Sequence, residues 1–531
     1  MYNMSMFTFA FFVGIYSYII FFLGITDWLY KDVMVWVTGL FWGGVSLWWF
    51  RKLNKNKEKV KLPKLSGKLF TFLLLLFILQ LLVNLIGVLG PELAFDALWY
   101  HLTLPKIYLD SHSIFFIPGG LLYYSVMPKL GEMLYIGGLS FGNEVIPKLI
   151  HFSFGLLTCF ALYKLSRKFF SPLVSIIAVV IFYSNLVVGW QSITAYVDLT
   201  RALFEVMALW AFVNWLDKGK TKWLIWSALM LGFAITTKLL AIGSLIMFAL
   251  LIFWKTRNRN AVKKIVMYTL IALSVPLPWF IFSYINTGNP VYPFFTEIYK
   301  VSPEPLSFVG FFREVGTLFI HSADPISPIY VIFLPLFILL FKKIKNNKLI
   351  LAIGTYSILS IIIWYFTPRT GGGRFILPYL PALSILCAFL YSYLIKNIKL
   401  KYIGKFLICL IIFVSLISIG YRFMANIKYL PIILGKESKD EFLEKHLNFS
   451  FGDFYDYDGY FKNNIKPTDK VLLYGFHNLY YINFPFVDSS WLKPSDVFNY
   501  IATQNTNLPM QYKNWKLVYE NEKTMVKLYK P

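Results

Sequence analysis

The chain has 531 residues, of which 57% are hydrophobic and only 15% charged, and it carries a net charge of +24. A soluble globular chain holds about a quarter charged residues, so this composition excludes one and points to a polytopic membrane protein. The basic excess lies in alternate connections between apolar runs, where it acts as an orientation signal, and nucleic acid is excluded as a partner.

In chain order, apolar runs predict thirteen membrane helices, at about 7–25, 33–50, 69–90, 147–165, 172–190, 199–216, 223–236, 239–254, 266–285, 327–341, 349–366, 374–394 and 406–420. The first run has no basic residue before it and no small-residue cleavage site after it, so it reads as a retained helix. Connections 51–68, 164–168, 217–222, 255–264, 342–348 and 395–405 hold 27 of the 51 lysines and arginines, against two acids, Glu58 and Asp217. All six fall on one side of a thirteen-span chain. The positive-inside rule makes that side cytoplasmic, places the amino terminus inside a plasma membrane, and leaves the carboxy-terminal region outside. Cys159, Cys387 and Cys409 all fall within predicted spans, and no pair has metal-binding spacing.

The first large outer segment, 91–146, reads as two interfacial helices. One begins at Pro91, which suits a first helical position, and ends near Pro105. On it Glu92, Asp96, Tyr100 and Thr103 form one polar stripe, with Leu93, Phe95, Leu98, Trp99 and Leu102 toward lipid. The other is Pro128-Lys-Leu-Gly-Glu-Met-Leu-Tyr-Ile-Gly-Gly-Leu139. Asp96 lies mid-helix with no capping role, placed to act as a base toward a lipid-borne substrate. Glu92 has a structural role open to it at the helix start, and His101 either hydrogen-bonds substrate or rests at the interface.

Further along, Asp198 and Arg201 are three apart at the outer end of a span and either pair with each other or meet substrate. Residues 223–254 have lysine-rich flanks on both sides and must cross twice in 32 residues, so the turn Thr236-Thr-Lys238 lies below the outer surface. Lys238 there needs an anionic partner, either a lipid phosphate or Asp198. Thr367-Pro-Arg-Thr-Gly-Gly-Gly-Arg374 offers Arg374 for phosphate beside permissive glycines, or else a loop followed by an interfacial anchor. Turn chemistry accounts for Asn286-Thr-Gly-Asn-Pro-Val-Tyr-Pro293, with ligand contact by Asn289 and Tyr292 left open.

Residues 421–531 change character and read as a small extracytoplasmic α/β domain. Strands are predicted at 470–474, 479–483 and 515–520, and helices at 438–447 and 495–503, each with a serine at its start.

Four motifs resemble the GT-C glycosyltransferases that use polyprenyl-phosphate sugars, in particular the family of protein O-mannosyltransferases and the lipid A aminoarabinose transferase. They are Phe95-Asp-Ala-Leu-Trp-Tyr-His101, Ala195-Tyr-Val-Asp198, Thr287-Gly-Asn-Pro-Val-Tyr-Pro293 and Arg374-Phe-Ile-Leu-Pro-Tyr-Leu-Pro381. The likeness runs through residues 69–394 and, in architecture, the outer domain. It implies a GT-C-like transmembrane catalytic domain at 69–420, with residues 1–68 adding two helices that are unusual for the family. It also implies Asp96 as the base. Ala97 stands where family members often carry a second acid, and Val126-Met-Pro128 where many carry Lys-Pro-Pro, which moves the phosphate-binding cation to Lys129 or Lys238.

The function expected is inverting transfer of a sugar from a polyprenyl-phosphate donor to a glycan, lipid or protein hydroxyl on the outer face. Asp96 is the base, with Glu92 and His101 beside it. Lys238 and Arg374 neutralise the lipid phosphate, and Tyr100, Asp198, Arg201, Asn289, Tyr292 and Lys129 complete the substrate contacts. No motif assigns a cofactor or metal ligand, although the chemistry leaves room for a divalent cation. Two other classes remain: a lipid-linked glycan transporter or flippase, which should bury charges mid-span, and an en bloc glycan ligase, against which the absence of Trp-Trp-Asp-Tyr-Gly counts.

Overall fold

A computed structural model describes residues 2–55, 67–256, 259–299, 307–320, 322, 325–344, 347–367, 369–397 and 401–531. Most of the basic connection at 51–68, parts of those near 257, 345 and 399, and residues 300–306 of the fourth outer segment lie outside the described residues. Helix is present at every one of the thirteen apolar runs. Among the described residues nine helices are long and apolar enough to cross a membrane, ten if one bent pair counts as a span.

The shortfall from thirteen has local causes. The run at 172–190 breaks into Pro172–Tyr183 and Leu186–Gln191. There Asn185 turns its amide nitrogen onto the Ile181 and Phe182 carbonyls (2.9 and 2.8 Å) and accepts the Ser327 amide (2.7 Å), a side chain competing with the helix ladder. Residues 259–287 form two helices, Arg259–Ser274 and Leu277–Thr287, bent by 62° at a proline-containing break. Ile329–Leu339 is short and carries Pro335 internally. Thr221–Thr237 and the turn-plus-helix at 239–256 lie where two short crossings were expected; of the two, the second alone is long and apolar enough to span.

The first outer segment differs from its interfacial reading. Residues 91–94 are not helical, Ala97–His101 form a π-turn, and an α-helix then runs over Thr103–Asp110, through Pro105 rather than ending before it. Its apolar side meets protein, not lipid. Ala97, Leu98 and Leu102 are buried, and Phe95 and Trp99 pack on His477 of the carboxy-terminal domain at 4.7 and 4.5 Å. Leu130–Leu139 is buried along its whole length. The amino-terminal helix Tyr2–Ile25 covers it so closely that a Cβ on Gly137 would lie 2.2 Å from the Tyr16 hydroxyl. The same helix ties to the loop through the Gly24 carbonyl, which accepts the Ile114 amide at 2.8 Å. The amino-terminal helix Tyr2–Ile25 therefore acts as a wall for this segment.

The carboxy-terminal domain contains β1 (Val471–Tyr474), β2 (Phe486–Asp488), β3 (Tyr500–Gln504), β4 (Lys516–Asn521) and β5 (Val526–Lys530), in the order β2-β1-β3-β5-β4. β1 is parallel to β2 and β3, whereas β5 is antiparallel to β3 and β4. Helix Lys439–His446 starts at a capping box, Ser438 with Glu441, as its sequence indicates. Two expectations fail. Residues 479–483 are not a strand, because Tyr480 and Tyr481 serve the docking interface: the Tyr481 hydroxyl donates to the Glu92 carbonyl (2.9 Å) and to Glu144 (3.1 Å). Residues 495–503 are not a helix, since from Tyr500 onward the chain is β3, held between β1 and β5. Lys106 completes the docking by donating to the Tyr480 carbonyl and to Asn483 (2.9 and 3.0 Å).

Candidate functional site

A cavity of about 230 Å³ opens where the segment 91–146 meets the Asp198 end of the helix Asp198–Lys218 and the Thr237 end of the helix Thr221–Thr237. Its lining is polar at Asp96, His101, Lys129, Glu132, Lys238 and Arg374 and aromatic at Trp99, Tyr100, Tyr124, Phe294, Tyr299 and Phe375, with the two kinds interleaved. Asp96, Tyr100, His101, Lys129, Lys238 and Arg374, picked from distant parts of the sequence, thus share one space.

Asp96 stands just before the π-turn, its amide donating to the Tyr196 hydroxyl at 3.0 Å. Its Oδ2 accepts from Arg374 Nη1 at 2.6 Å and from the Tyr100 hydroxyl at 3.3 Å. Among the described residues no protein donor meets Oδ1. Arg374 ends a glycine-rich turn in which Gly372 has φ +51°, a conformation that favours glycine. Trp364 Nε1 fixes the turn by donating to the Gly372 carbonyl (3.2 Å). The guanidinium then lies over Tyr196 and Phe375, 5.1 and 5.2 Å from the ring centres.

Lys238 follows directly on Thr221–Thr237, with its side chain 15% exposed, and its ammonium is 2.7 Å from Asp198 Oδ1. Of the two partners open to it in the sequence, the carboxylate is the one present. Asp198 does not pair with Arg201. That side chain turns inward, donating to the Tyr379 hydroxyl at 2.7 Å and meeting Glu205 at 3.4 Å. Glu205 also accepts from Ser244 and Tyr356 at 2.8 and 2.9 Å. Sequence reading missed this buried cluster, although an acid four residues after Arg201 within an apolar run was the available signal.

Lys129 immediately precedes the helix Leu130–Leu139, and its nearest carboxylate is Glu132 Oε1 at 4.0 Å. The same oxygen accepts from His101 Nδ1 at 2.8 Å. Burial lowers the pKa of His101 and of Lys129. Burial alone would raise Glu132, but Lys129 and the hydrogen bond from His101 hold it below the ordinary carboxylate value. Glu132 was not selected from the sequence, although it sits three residues beyond Lys129 in a helix's first turn.

Glu92, Arg201, Asn289 and Tyr292 do not line the cavity. Glu92 is buried, with backbone amides on both oxygens: Leu93 and Ala94 on Oε1 (2.9 and 2.8 Å) and Ala195 on Oε2 (2.6 Å). It stitches the outer segment to residues 191–198 rather than starting a helix. Asn289 accepts the Val291 amide (3.0 Å) and donates to the Phe294 carbonyl (2.7 Å). This orders the turn that brings Pro293 and Phe294 into the wall. Tyr292 packs edge-on against Phe116, 5.7 Å between ring centres. Among the described residues no three His, Cys, Asp or Glu side chains converge for a metal ion.

Two solved structures share this architecture over nearly their whole length. They are ArnT from Cupriavidus metallidurans in the apo state (13% identity, TM-score 0.55) and the same protein bound to undecaprenyl phosphate (14%, TM-score 0.53). Each alignment covers 86% of this chain, and 97% and 98% of the ArnT chains respectively. The chain has the GT-C fold. Residues 140–282 of the chain also match the family model described as dolichyl-phosphate-mannose-protein mannosyltransferase. That segment contains Asp198 and Lys238 but not Asp96, Lys129 or Arg374. No curated protein matches the chain by sequence.

Proposed function

We propose that this GT-C protein is a membrane glycosyltransferase that moves a sugar from a polyprenyl phosphate to a hydroxyl of a glycan, lipid or protein on the outer face. The observation that carries the reading is the carboxylate of Asp96 in a cavity that also holds Lys129, Lys238 and Arg374, with the other lining carboxylate, Glu132, bonded to His101. A lipid phosphate needs cations, and an attacking hydroxyl needs a base. The undecaprenyl phosphate in the similar ArnT structure supports a lipid phosphate as the ligand.

In this mechanism Asp96 Oδ1 takes the proton of the acceptor hydroxyl as its oxygen bonds the anomeric carbon. The bond from that carbon to the phosphate oxygen breaks, and the lipid phosphate keeps the electron pair. One displacement inverts the centre. Arg374 and Lys238 already have carboxylates at 2.6 and 2.7 Å, whereas the nearest to Lys129 is at 4.0 Å. Lys129 is therefore the least neutralised of the three and the first partner for phosphate. The test is equilibrium binding of undecaprenyl phosphate to the full chain in lipid nanodiscs, followed by transfer from undecaprenyl-phosphate hexoses to added acceptors. Binding lost in Lys129→Met supports the reading, and a parent chain that does not bind the lipid refutes it.

The buried Arg201–Glu205 pair favours a second reading, a transporter of lipid-linked glycan, since charges within a span mark translocation paths. Formation of a new glycosidic bond by the purified chain separates the two.

A further inference from the structure

We infer that His101 is a positioning residue that holds Glu132 away from Lys129, so that the lysine stays available to an anion. This rests on the reading of the cavity as a polyprenyl-phosphate site. Lys129 and Glu132 are three residues apart at the start of one helix, a spacing at which opposite charges ordinarily pair. Both are almost fully buried, with side chains 2% and 4% exposed, so water screens their attraction little. Yet the ammonium and the carboxylate stand 4.0 Å apart, beyond hydrogen-bond reach.

What meets Glu132 instead is His101, whose Nδ1 lies 2.8 Å from Oε1, the oxygen nearest Lys129. An ionised carboxylate only accepts, so Nδ1 carries the proton in this bond. The imidazole arrives from the π-turn at Ala97–His101, the turn that also begins beside Asp96. Other groups around the lysine do not neutralise it. Tyr100 and Tyr124 offer ring faces 5.8 and 5.9 Å from the ammonium, which attract a cation without competing for an arriving anion's charge. Glu132 is thus near the ammonium but too far to occupy it. Without His101 the carboxylate is free to close on Lys129.

Undecaprenyl phosphate binding to the full chain in nanodiscs tests this with four variants. His101→Leu lets Glu132 close and should weaken binding about tenfold, the loss expected when a charge-assisted contact is taken by a competitor. His101→Asn places an amide nitrogen where Nδ1 was and should stay within about threefold of the parent. The double variant His101→Leu with Glu132→Gln removes the competing carboxylate and should recover parent affinity, which a merely structural role for His101 would not do. Glu132→Gln alone should bind at least as tightly as the parent, and it carries the test if the leucine variant does not fold. A parent chain that does not bind removes the reading of the cavity and this inference with it. A parent that binds, with an unaffected His101→Leu, an unrescued double variant or a weakened Glu132→Gln, overturns the inference alone.

Discussion

Replacing Asp96 with asparagine should move binding and turnover in opposite directions. The carboxylate is the counter-ion of Arg374, which donates to it at 2.6 Å, and in the proposed mechanism it is also the base. Asparagine keeps the shape but can neither take a proton at neutral pH nor neutralise the guanidinium. Loss of a positioned general base lowers the rate by about 10²–10⁴-fold. The freed guanidinium should strengthen lipid-phosphate binding. A hydrogen bond to a charged group is worth about 1.5–3 kcal/mol, and both side chains are partly exposed, 14% for Arg374 and 15% for Asp96. The lower end of that range is therefore the appropriate figure, equivalent to about tenfold. The assay measures single-turnover transfer and equilibrium binding of undecaprenyl phosphate on one preparation of Asp96→Asn. Transfer within about threefold of the parent would remove Asp96 as the base. Slow transfer without tighter binding would show that Arg374 does not meet the phosphate.

The other expectations concern the remaining cations, the docking of the outer domain and the orientation in the membrane. Lys129→Met should weaken undecaprenyl phosphate binding more than Lys238→Met, because Asp198 at 2.7 Å already neutralises Lys238; equal losses would count against that ranking. Lys106→Met removes donors to the Tyr480 carbonyl and to Asn483. It should speed hydrogen exchange at residues 478–484 while leaving β1 and β3 protected; an unchanged pattern would show that these contacts do not hold the domain down. Cysteine at Lys220 should label only from the cytoplasm and at Asn448 only from outside, and the reverse would invert the chain in the membrane.

Much of this arrangement was legible before the fold, and the failures share a cause. Each of the thirteen predicted apolar runs is helical because lipid imposes one requirement, internally satisfied backbone, on long stretches of chain, whereas the helix Phe308–Ile320 was not expected. Asp96, Lys238 and Arg374 stood out because charges flanking such stretches are few, and Lys129 came from the family resemblance. Sequence reading went wrong where a side chain's partner comes from elsewhere in the chain. Glu92 looked like a residue for a helix start, but its oxygens are taken by backbone amides that include Ala195. Asp198 and Arg201 have pairing spacing, yet a lysine from another helix and a tyrosine from residue 379 outcompete that contact. The run 479–483 reads as a strand, but its tyrosines at 480 and 481 serve a docking surface.

That docking surface also sets an order of events during synthesis. Lys106 waits for Tyr480, 374 residues later, before its contact can form. At roughly 5–20 residues per second, this leaves the outer segment without its roof for on the order of 20–70 s after it emerges. During that interval Phe95, Trp99 and the backbone around Leu98 face water or lipid headgroups. A nascent chain stalled before its last hundred or so residues would have its helices inserted but Phe95 and Trp99 uncovered, exposing an aromatic surface that membrane quality control could recognise.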